Sequence, residues 1–333
     1  MKVPQQIAVL GGGSWATALV KILTDNQIKV HWYIRNQNDV DYLIKHRHNP
    51  KYLTSVHFDL NMLELSSDLN QVVDQNKRMI LAIPSAFVAA ELSKLKTPLN
   101  RKTIFSAVKG IEPESELIIG EYLHQHFEIP MNQIGVITGP CHAEEVALER
   151  LSYLTIACLN KKRAQYLASM LSNEYILTNT SRDVFGTEYA AVFKNIYALA
   201  AGIANGIGYG DNFQAVLIAN AVAEMKIIIK AIKRKRRVIY HSAYLGDLLV
   251  TAYSTFSRNR MFGTMIGKGY TVKSAMIEMK MVAEGYYASK SAHHILKRKE
   301  LFDKAPIAAS VYRILYNGER PRAVFKELQN KLV

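Results

Sequence analysis

The chain is poor in cysteine. Its 333 residues include only Cys141 and Cys158. Two cysteines are too few for the disulfide framework of a small secreted domain, and they lack the clustered Cys/His spacing of a zinc site. We therefore expect no bound metal and a protein of the reducing cytoplasm.

Long apolar runs are also absent. No segment approaches the roughly 20 consecutive apolar residues that cross a bilayer. The first apolar run, residues 7–10, is too short for the core of a signal peptide, so no such signal is expected. With 49% hydrophobic and 21% charged residues, the composition is typical of a soluble globular protein with two domains.

Negative charge is scarce, with 28 acidic residues against 42 basic ones and a net charge of +14. Six of the cations lie close together, namely Lys230, Lys233, Arg234, Lys235, Arg236 and Arg237. Such a run is typical of a solvated helix end, where cations complement the helix dipole. It has no interleaved aromatic residues for base stacking, so we expect no specific nucleic-acid binding. A weak contact with an anionic membrane is a further hypothesis.

A glycine-rich turn follows the first apolar run. Gly11, Gly13 and Ala16 occupy the G-x-G-x-x-G/A positions, with Ser14 and Trp15 before the alanine. In a dinucleotide-binding fold the first glycine makes a tight turn. The second lets the backbone approach a pyrophosphate at the helix N-terminus. Because the flanks resemble a strand and a helix, the pattern favours dinucleotide binding over a plain structural turn.

The end of the second predicted strand indicates which dinucleotide binds. The ribose-recognising position lies about 20 residues beyond the glycines. Arg35 stands there, and the nearest carboxylate, Asp39, comes later in the chain. An arginine can hold a 2′-phosphate through a charge-assisted fork, whereas NAD sites usually carry Asp or Glu. We expect NADP(H), with NAD(H) as the alternative if Arg35 stacks on adenine and a merely solvated arginine as the other interpretation.

Strand-like and helix-like segments alternate over the first half of the chain. After the first strand, the predicted strands are residues 29–34, 78–83, 103–107, 133–138, 151–157 and 175–179, and the predicted helices include 85–95 and 115–125. This alternation predicts an α/β domain with a Rossmann-type doubly wound parallel sheet over residues 1–182. Helical spacing then dominates residues 183–333, which predicts an all-helical C-terminal domain whose first helix includes residues 189–203.

Several polar or turn residues follow the predicted strands directly. Ligands of open α/β sheets collect outside the carboxyl ends of the strands. We therefore expect Pro84, Ser85, Lys109, Gly139 and Cys141 to face one crevice, with the active site between the two domains.

A lysine interrupts the apolar helix predicted at the start of the second domain. Lys194 must either reach solvent or lie in a polar pocket, where burial would lower its pKa toward neutrality and suit it to proton transfer. Asp247 is a carboxylate in another apolar segment, with Thr251 following it. Asp247 could orient Lys194 or hold a substrate hydroxyl.

Two further segments carry candidate binding groups. Residues 257–260 read Ser-Arg-Asn-Arg, which offers two guanidinium groups, a hydroxyl and an amide suited to a phosphate monoester. The alternative is an ordinary charged loop. Glu284 precedes Gly285 and could reach a nicotinamide carboxamide or simply cap a helix.

Taken in order, these motifs resemble the bacterial NAD(P)-dependent glycerol-3-phosphate dehydrogenase family. The matching segments are Gly13-Ser14-Trp15, Lys109-Gly110, Gly139-Pro140, Lys194-Asn195, Gly246-Asp247, residues 257–263 and Glu284-Gly285-Tyr286. They extend over nearly the whole chain, and the Lys-Asn and Ser-Arg-Asn-Arg segments are the most specific.

The resemblance implies reversible NAD(P)H-dependent reduction of dihydroxyacetone phosphate to sn-glycerol 3-phosphate for phospholipid synthesis. It implies a C-terminal domain like that of 6-phosphogluconate dehydrogenase, and the hydride comes from the nicotinamide. A homodimer is the expected assembly, as is common for enzymes of this size.

The resemblance also implies residue roles. Lys194 would donate or accept the proton at C2, with Asp247 as the second catalytic residue. The implied substrate-binding residues are Lys109, Gly139, Cys141, Lys194, Asp247, Ser257, Arg258 and Asn259. The implied cofactor-binding residues are Gly11, Gly13, Ser14, Trp15, Arg35, Lys109, Ala143, Arg258, Val282 and Glu284. Cys141 stands where the family usually has Ser or Thr, and a thiol is a weaker hydrogen-bonding group.

Two other functions fit parts of the sequence. A sister dehydrogenase with the same domains would use the arginines to bind the carboxylate of a 3-hydroxyacid. A catalytically inactive nucleotide-binding protein would account for the positive charge, but it would have no need for a lysine in an apolar helix.

Overall fold

The chain forms two compact units. The computed structural model describes residues 6–279 and 283–333. One unit falls within Met1–Val108 and Ile119–Val184, and the other within Lys109–Ile118 and Phe185–Val333. The domain boundary after residue 182 stays a prediction. The compact units differ from it mainly in grouping Lys109–Ile118 with the second unit.

The first unit alternates strands and helices. Its elements are β1 (Gln6–Leu10), α1 (Ser14–Asp25), β2 (Lys29–Tyr33), α2 (Gln37–His46), β3 (Leu63–Ser66), α3 (Leu69–Gln75), β4 (Arg78–Leu81), α4 (Ser85–Leu92), β5 (Thr103–Ser106), α5 (Ile119–Phe127), β6 (Ile134–Thr138), α6 (Ala143–Ala147), β7 (Ser152–Cys158), α7 (Lys161–Leu171) and β8 (Ile176–Ser181). The short strand β3 escaped the sequence analysis, because its four residues include Glu64 and show little continuous burial.

The eight strands form one sheet in the order β3-β2-β1-β4-β5-β6-β7-β8. The order reverses between β1 and β4, which is the switch point of a doubly wound sheet. The predicted Rossmann-type α/β fold is therefore confirmed. Apolar residues of the central strands and of α1 form its core, including Ile7, Val9, Leu19, Trp32, Ile80 and Phe105.

One strand departs from the predicted parallel arrangement, since β7 runs antiparallel to β6. The helix between them, α6, has five residues and spans about 7.5 Å. The five-residue strand β6 spans about 16 Å. So short a helix cannot carry the chain back along the sheet to start a parallel strand. The chain therefore reverses direction.

The predicted start of α5 at residue 115 was wrong. The amide and hydroxyl of Ser115 both donate to the Glu112 carboxylate, at 2.7 and 2.6 Å. Glu116 then adopts a left-handed conformation with a φ of 56°, and Ile111 pairs with Ile118 in an antiparallel bridge. These local bonds compete successfully with a helix. The helix begins at Ile119.

The second unit is helical throughout its named elements. They are α8 (Val184–Gly206), α9 (Asp211–Ile232), α10 (Asp247–Tyr253), α11 (Arg258–Gly267), α12 (Val272–Met279), α13 (Glu284–Arg298), α14 (Pro306–Tyr316) and α15 (Pro321–Leu328). The predicted helical second half is confirmed, and α8 is its long, buried first helix. None of the described helices is both long and apolar enough to cross a membrane.

Two helices of this unit cross at unusually close range. Four glycines line the crossing, namely Gly202 and Gly206 on α8 and Gly263 and Gly267 on α11. A Cβ atom on Gly202 would lie 2.0 Å from the carbonyl oxygen of Arg260, and one on Gly263 would lie 2.2 Å from that of Leu199. The two backbones are therefore in direct contact, and no larger residue fits without moving a helix.

A buried carboxylate joins α9 to the start of α14. The two Glu224 oxygens accept hydrogen bonds from the amides of Ile307 and Ala308, at 2.8 and 3.1 Å. The Tyr197 hydroxyl of α8 interacts with the same carboxylate. Burial raises the Glu224 pKa to about 7. Through its hydrogen bonds to the two amides, Glu224 caps the N-terminus of α14, which has no cap from its own N-cap residue.

The cationic run lies largely beyond α9. Lys230 lies in the last turn of the helix, and the Lys233 amide closes its C-terminus. The segment then continues without regular structure, and most of its cations are exposed. The Arg237 guanidinium donates to the Lys233 carbonyl at 2.8 Å. The interpretation as a solvated helix end therefore fits the first cations of the run and not the later ones.

We expect Gly202→Ala to lower the free energy of unfolding by about 2 kcal/mol or more, because the new methyl group collides with backbone rather than with a mobile side chain. Gly210→Ala is the matched control, since a Cβ there meets nothing within 4 Å. It should cost less than about 1 kcal/mol. Chemical denaturation measures both changes, and equal losses would contradict the close crossing.

Candidate active site

The glycine turn after β1 has the geometry of a dinucleotide-binding loop. Gly11 adopts a φ of 129°, and a Cβ there would lie 2.4 Å from the carbonyl oxygen of Ala82. The Gly11 amide donates to the Tyr33 carbonyl at 3.1 Å. The turn is thus held between β2 and the segment after β4, at the switch point of the sheet. Only glycine fits at position 11.

The next part of the loop leaves room for an anion. Gly13 is the N-cap of α1, and a Cβ there would meet no atom within 4 Å. Ser14 and Trp15 are the first residues of the helix, and Ala16 is fully buried behind them. A helix N-terminus facing open space can receive a phosphate. The residues present therefore fit a dinucleotide pyrophosphate.

Arg35 stands beyond the carboxyl end of β2, which is the strand next to β1. Its side chain is exposed. The nearest later carboxylate, Asp39, accepts a hydrogen bond from Lys51 at 2.7 Å. Asp39 is therefore engaged by a cation, whereas Arg35 points its charge toward solvent.

Other predicted residues lie along the same edge of this sheet. Pro84 and Ser85 follow β4, while Gly139 and Cys141 follow β6, and both strands run parallel to β5. Gly139 has a φ of 119°, and a Cβ there would lie 2.5 Å from the Tyr153 carbonyl oxygen. The backbone conformation and the close packing therefore explain the glycine at position 139 without reference to a ligand.

The two remaining residues near this turn are buried. Cys141 is 4% exposed and Ala143, which begins α6, is 5% exposed. The helix α6 packs against α1. The structure thus brings the implied cofactor residues Gly11, Gly13, Ser14 and Trp15 together, with Ala143 on the neighbouring helix.

The second unit holds a buried lysine and a buried carboxylate in contact. Lys194 on α8 is 3% exposed and Asp247 at the start of α10 is 1% exposed. The Lys194 ammonium donates to the Asp247 carboxylate and lies 3.1 Å from the Thr251 hydroxyl. Thr251 in turn donates to the Asp247 carbonyl at 2.6 Å. The lysine therefore does not reach solvent, and one of the two alternatives for it is excluded.

Burial lowers the pKa of Lys194 to about 7, although the Asp247 charge opposes the shift. The nearby Lys109 ammonium lowers this pKa further. A group with this pKa is divided between its acid and base forms near neutral pH, which suits general acid–base catalysis. Asp247 accepts the hydrogen bond of the lysine, which is the contact that the first of its two sequence interpretations requires.

A π-helical turn, Ser242–Gly246, delivers Asp247 to this position. Such turns often occur at functional sites, because they rotate the following residues relative to a regular helix. Within the second unit, Asn195 adds a second link by donating to the Lys109 carbonyl at 2.8 Å. The side chains of Asp247, Thr251 and Lys109 thus all interact with Lys194.

The start of α11 forms the next part of the site. The Ser257 hydroxyl caps this helix by accepting from the Arg260 amide at 3.3 Å. The Asn259 side chain accepts from the Gly285 amide at 2.9 Å. A Cβ on Gly285 would lie 2.6 Å from the Asn195 carbonyl oxygen. The start of α13 therefore packs directly against α8 beside Lys194.

This packing locates the last predicted residues. Arg258 is the first residue of α11 and Glu284 the first of α13, and both are half-buried. Val282 lies outside the described residues. Glu284 stands in the first turn of its helix, where a carboxylate complements the dipole. The helix-capping interpretation thus remains open beside the cofactor one.

Arg260 is set apart from Arg258 around α11. It is two residues beyond Arg258, which is about 200° around a helix. It lines a separate cavity with Asn205, Thr264 and Lys268. The expectation that residues 257–260 supply two guanidinium groups to one ligand stays a prediction, and this placement favours Arg258 over Arg260 for it.

Two side chains that contact this centre were given no role from the sequence. Thr251 follows Asp247 by one helical turn, and that spacing would have placed it on the same face. Asn195 adjoins Lys194 and was noted as part of a motif without a role. Within residues 6–279 and 283–333, no cluster of three or more His, Cys, Asp or Glu side chains is arranged to hold a metal.

Comparisons with known proteins extend over nearly the whole chain. The family model for the N-terminus of NAD-dependent glycerol-3-phosphate dehydrogenase matches residues 6–164, and the model for its C-terminus matches residues 183–326. A curated relative from Macrococcus caseolyticus, a glycerol-3-phosphate dehydrogenase [NAD(P)+], is 34% identical over 330 residues, covering 98% of each chain.

Two more proteins described as glycerol-3-phosphate dehydrogenases are similar to this chain. The enzyme of the same description from Oceanobacillus iheyensis is 32% identical over 329 residues, covering 98% of this chain and 94% of its own length. A crystal structure of glycerol-3-phosphate dehydrogenase from Coxiella burnetii superposes with a TM-score of 0.90 at 26% identity, covering 98% of this chain and 99% of that one.

We expect Gly13→Ala to weaken NADPH binding by about tenfold or more, because its methyl group enters the space that fits the pyrophosphate. The fold should be largely retained, with a loss below about 1 kcal/mol in unfolding free energy. Gly210→Ala, which alters another glycine N-cap, should leave NADPH affinity unchanged. Cofactor fluorescence titration and denaturation measure the two effects, and unaltered affinity in Gly13→Ala would contradict the assignment.

Proposed function

This chain belongs to the NAD-dependent glycerol-3-phosphate dehydrogenase family, and on that premise we propose that Lys194 transfers the proton in reversible reduction of dihydroxyacetone phosphate to sn-glycerol 3-phosphate. The family makes the chain an oxidoreductase that uses NAD or NADP. The observation that carries the proposal is the buried Lys194–Asp247 contact, with the lysine pKa lowered to about 7.

Lys194 and Asp247 have distinct tasks in this proposal. In reduction, the Lys194 ammonium donates a proton to the C2 oxygen of the substrate. In oxidation, its neutral amine removes the proton from the C2 hydroxyl. Asp247 holds the amine in place, with Thr251 as a second hydrogen-bonding partner. When bound, the nicotinamide supplies or accepts the hydride.

The start of α11 is the proposed binding site for the substrate phosphate. Arg258 supplies a guanidinium there, and the helix N-terminus favours an anion. The Asn259 carbonyl is used by Gly285, so its amide NH2 is the group we assign to the substrate. Lys109 adds a second cation near Lys194. Ser257, Gly139 and Cys141 complete the proposed substrate set.

The cofactor residues follow from the loop geometry in the first unit. Gly11, Gly13, Ser14 and Trp15 bind the pyrophosphate end, and Arg35 binds the adenosine end. We also assign Lys109, Ala143, Arg258, Val282 and Glu284 to the cofactor, on the strength of their positions in the family motifs.

The preference for NADP(H) rests on Arg35. Its exposed guanidinium can meet a 2′-phosphate, whereas Asp39 is engaged by Lys51 and is poorly placed to accept from a ribose hydroxyl. NAD(H) remains the alternative cofactor.

The cellular role is a further part of the proposal. We assign the product to phospholipid synthesis in the cytoplasm, by a homodimer of this chain. The exposed cations beyond α9 are the surface we assign to weak contact with an anionic membrane.

We expect Lys194→Ala to lower turnover of dihydroxyacetone phosphate by about a hundredfold or more, the usual effect of removing a positioned proton donor. NADPH affinity should be retained. Lys226→Ala, which alters an exposed lysine of α9, is the matched control and should retain full activity. Initial rates at 340 nm test this, and near-normal turnover in Lys194→Ala would exclude the assignment. Activity with a 3-hydroxyacid alone would instead exclude the substrate.

The pH profile tests the same lysine in both directions. Since the Lys194 pKa is about 7, kcat/KM for reduction should fall as pH rises above about 7, because the proton donor is lost. For oxidation it should fall as pH drops below about 7, because the base is lost. Asp247→Asn removes the charge that raises this pKa, so the reduction limb should move to lower pH. Profiles that are unchanged by Asp247→Asn would contradict the pairing.

We expect Arg35→Ala to raise the KM for NADPH by about tenfold, the effect of losing one charge-assisted contact. The KM for NADH should change little, because NADH carries no 2′-phosphate. Steady-state rates with both cofactors give the ratio. Equal effects on NADPH and NADH would show that Arg35 acts on the shared adenosine and not on the phosphate.

A further inference from the structure

The first unit carries a cavity of about 340 Å³. It lies at the amino edge of the sheet, since its lining includes Arg78 and Thr103, the first residues of β4 and β5. The glycine turn follows the carboxyl end of β1, which runs parallel to β4. The cavity is thus at the opposite edge of the sheet from the dinucleotide loop. None of the residues proposed for catalysis lines it.

Five cations surround this cavity, namely Lys77, Arg78, Arg101, Lys162 and Arg163. No carboxylate lines it, and within the described part of the chain none of the five cations forms an ion pair. The like charges repel one another and raise the local positive potential. An anion with several charges would relieve that repulsion.

The local structure holds part of this cluster in place. The Arg78 guanidinium lies over the Tyr166 ring, 4.4 Å from its centroid. Arg163 donates to the Asn132 carbonyl at 2.7 Å. The 11-residue helix α7 starts at the same place, with Asn160 as its N-cap, and its dipole adds to the positive potential. Thr103, Gln133 and Asn160 also line the cavity and bring neutral polar groups to it.

We propose that this cavity binds a small ligand that carries two or more phosphate groups. Its volume lies at the lower end of the range for small-molecule sites. A nucleic acid fits less well, because the Arg78 guanidinium covers the Tyr166 ring and leaves it unsuited to base stacking. A flat lipid surface also fits less well, because the cations line a concave cavity. The ligand is therefore a free polyphosphate compound, with a site separate from the proposed active site.

The test uses the full-length protein with inorganic tripolyphosphate as the probe. Binding is measured by titration calorimetry at constant ionic strength, in the presence of saturating NADPH. The pocket variant is Lys77→Gln with Lys162→Gln, because both side chains are exposed and their loss should spare the fold. The matched control is Lys45→Gln with Lys326→Gln, which removes the same charge from exposed positions outside the cavity. Thermal unfolding verifies both variants.

We expect tripolyphosphate to bind the unmodified protein and the control alike, and to bind the pocket variant at least about tenfold more weakly. The rate of NADPH oxidation without tripolyphosphate should be the same in all three proteins. Absence of binding to the unmodified protein would overturn the proposal. Equal weakening in the two variants would also overturn it, since the interaction would then depend on net charge alone. If the pocket variant unfolds, Arg101→Gln alone replaces it under the same criteria.

Discussion

The backbone contact between α8 and α11 determines the geometry of the second unit. Helices normally pack about 8 to 10 Å apart because side chains separate them. Here four glycines remove that spacing, and the carbonyl oxygens of one helix meet the Cα atoms of the other. Lys194 lies about two turns before Gly202 on α8, and Asn259 lies one turn before Gly263 on α11. A slip of either helix would therefore move a proposed catalytic residue relative to a proposed substrate-binding one. Gly285 brings a third helix, α13, against the α8 backbone in the same way, while the Asn259 side chain links α13 to α11.

The buried lysine and carboxylate are expensive to maintain. Removing two ions from water costs several kcal/mol each, and their mutual attraction often only offsets that cost. Thr251 and the α10 backbone satisfy part of the remaining hydrogen-bonding capacity. A pair of apolar residues would fill this space at least as stably. The presence of this pair is thus better explained by its proposed role in proton transfer than by a contribution to the stability of the fold. The lowered lysine pKa has the same origin as the energetic cost, namely the absence of water.

Much of the fold was accessible from the sequence, because the core strands are continuous apolar runs and the glycine turn has a distinctive spacing. The start of α5 was not, since it depends on bonds between Glu112 and Ser115 that compete with the helix. The direction of β7 follows from the shortness of α6, which apolar patterning does not reveal. In the candidate site, Lys194 and Asp247 stood out as charges in apolar segments. The different direction of Arg260 on α11 was not evident, because neighbours along a helix need not face the same side. The close crossing of α8 and α11 was not predicted, because a single glycine within a helical pattern gives no sign of its packing partner.

The segment Lys109–Ile118 gives the second unit a discontinuous chain. It is separated from Phe185 by the α5–β8 part of the first unit, yet Ile111 and Ile118 belong to the apolar core of the second. A truncated polypeptide that began near residue 183 would lack two core side chains and the carbonyl that Asn195 binds. The chain therefore cannot be divided at one point into two complete folding units. Any exchange of halves between relatives, by recombination or by design, would have to carry this ten-residue insertion along with the helical half.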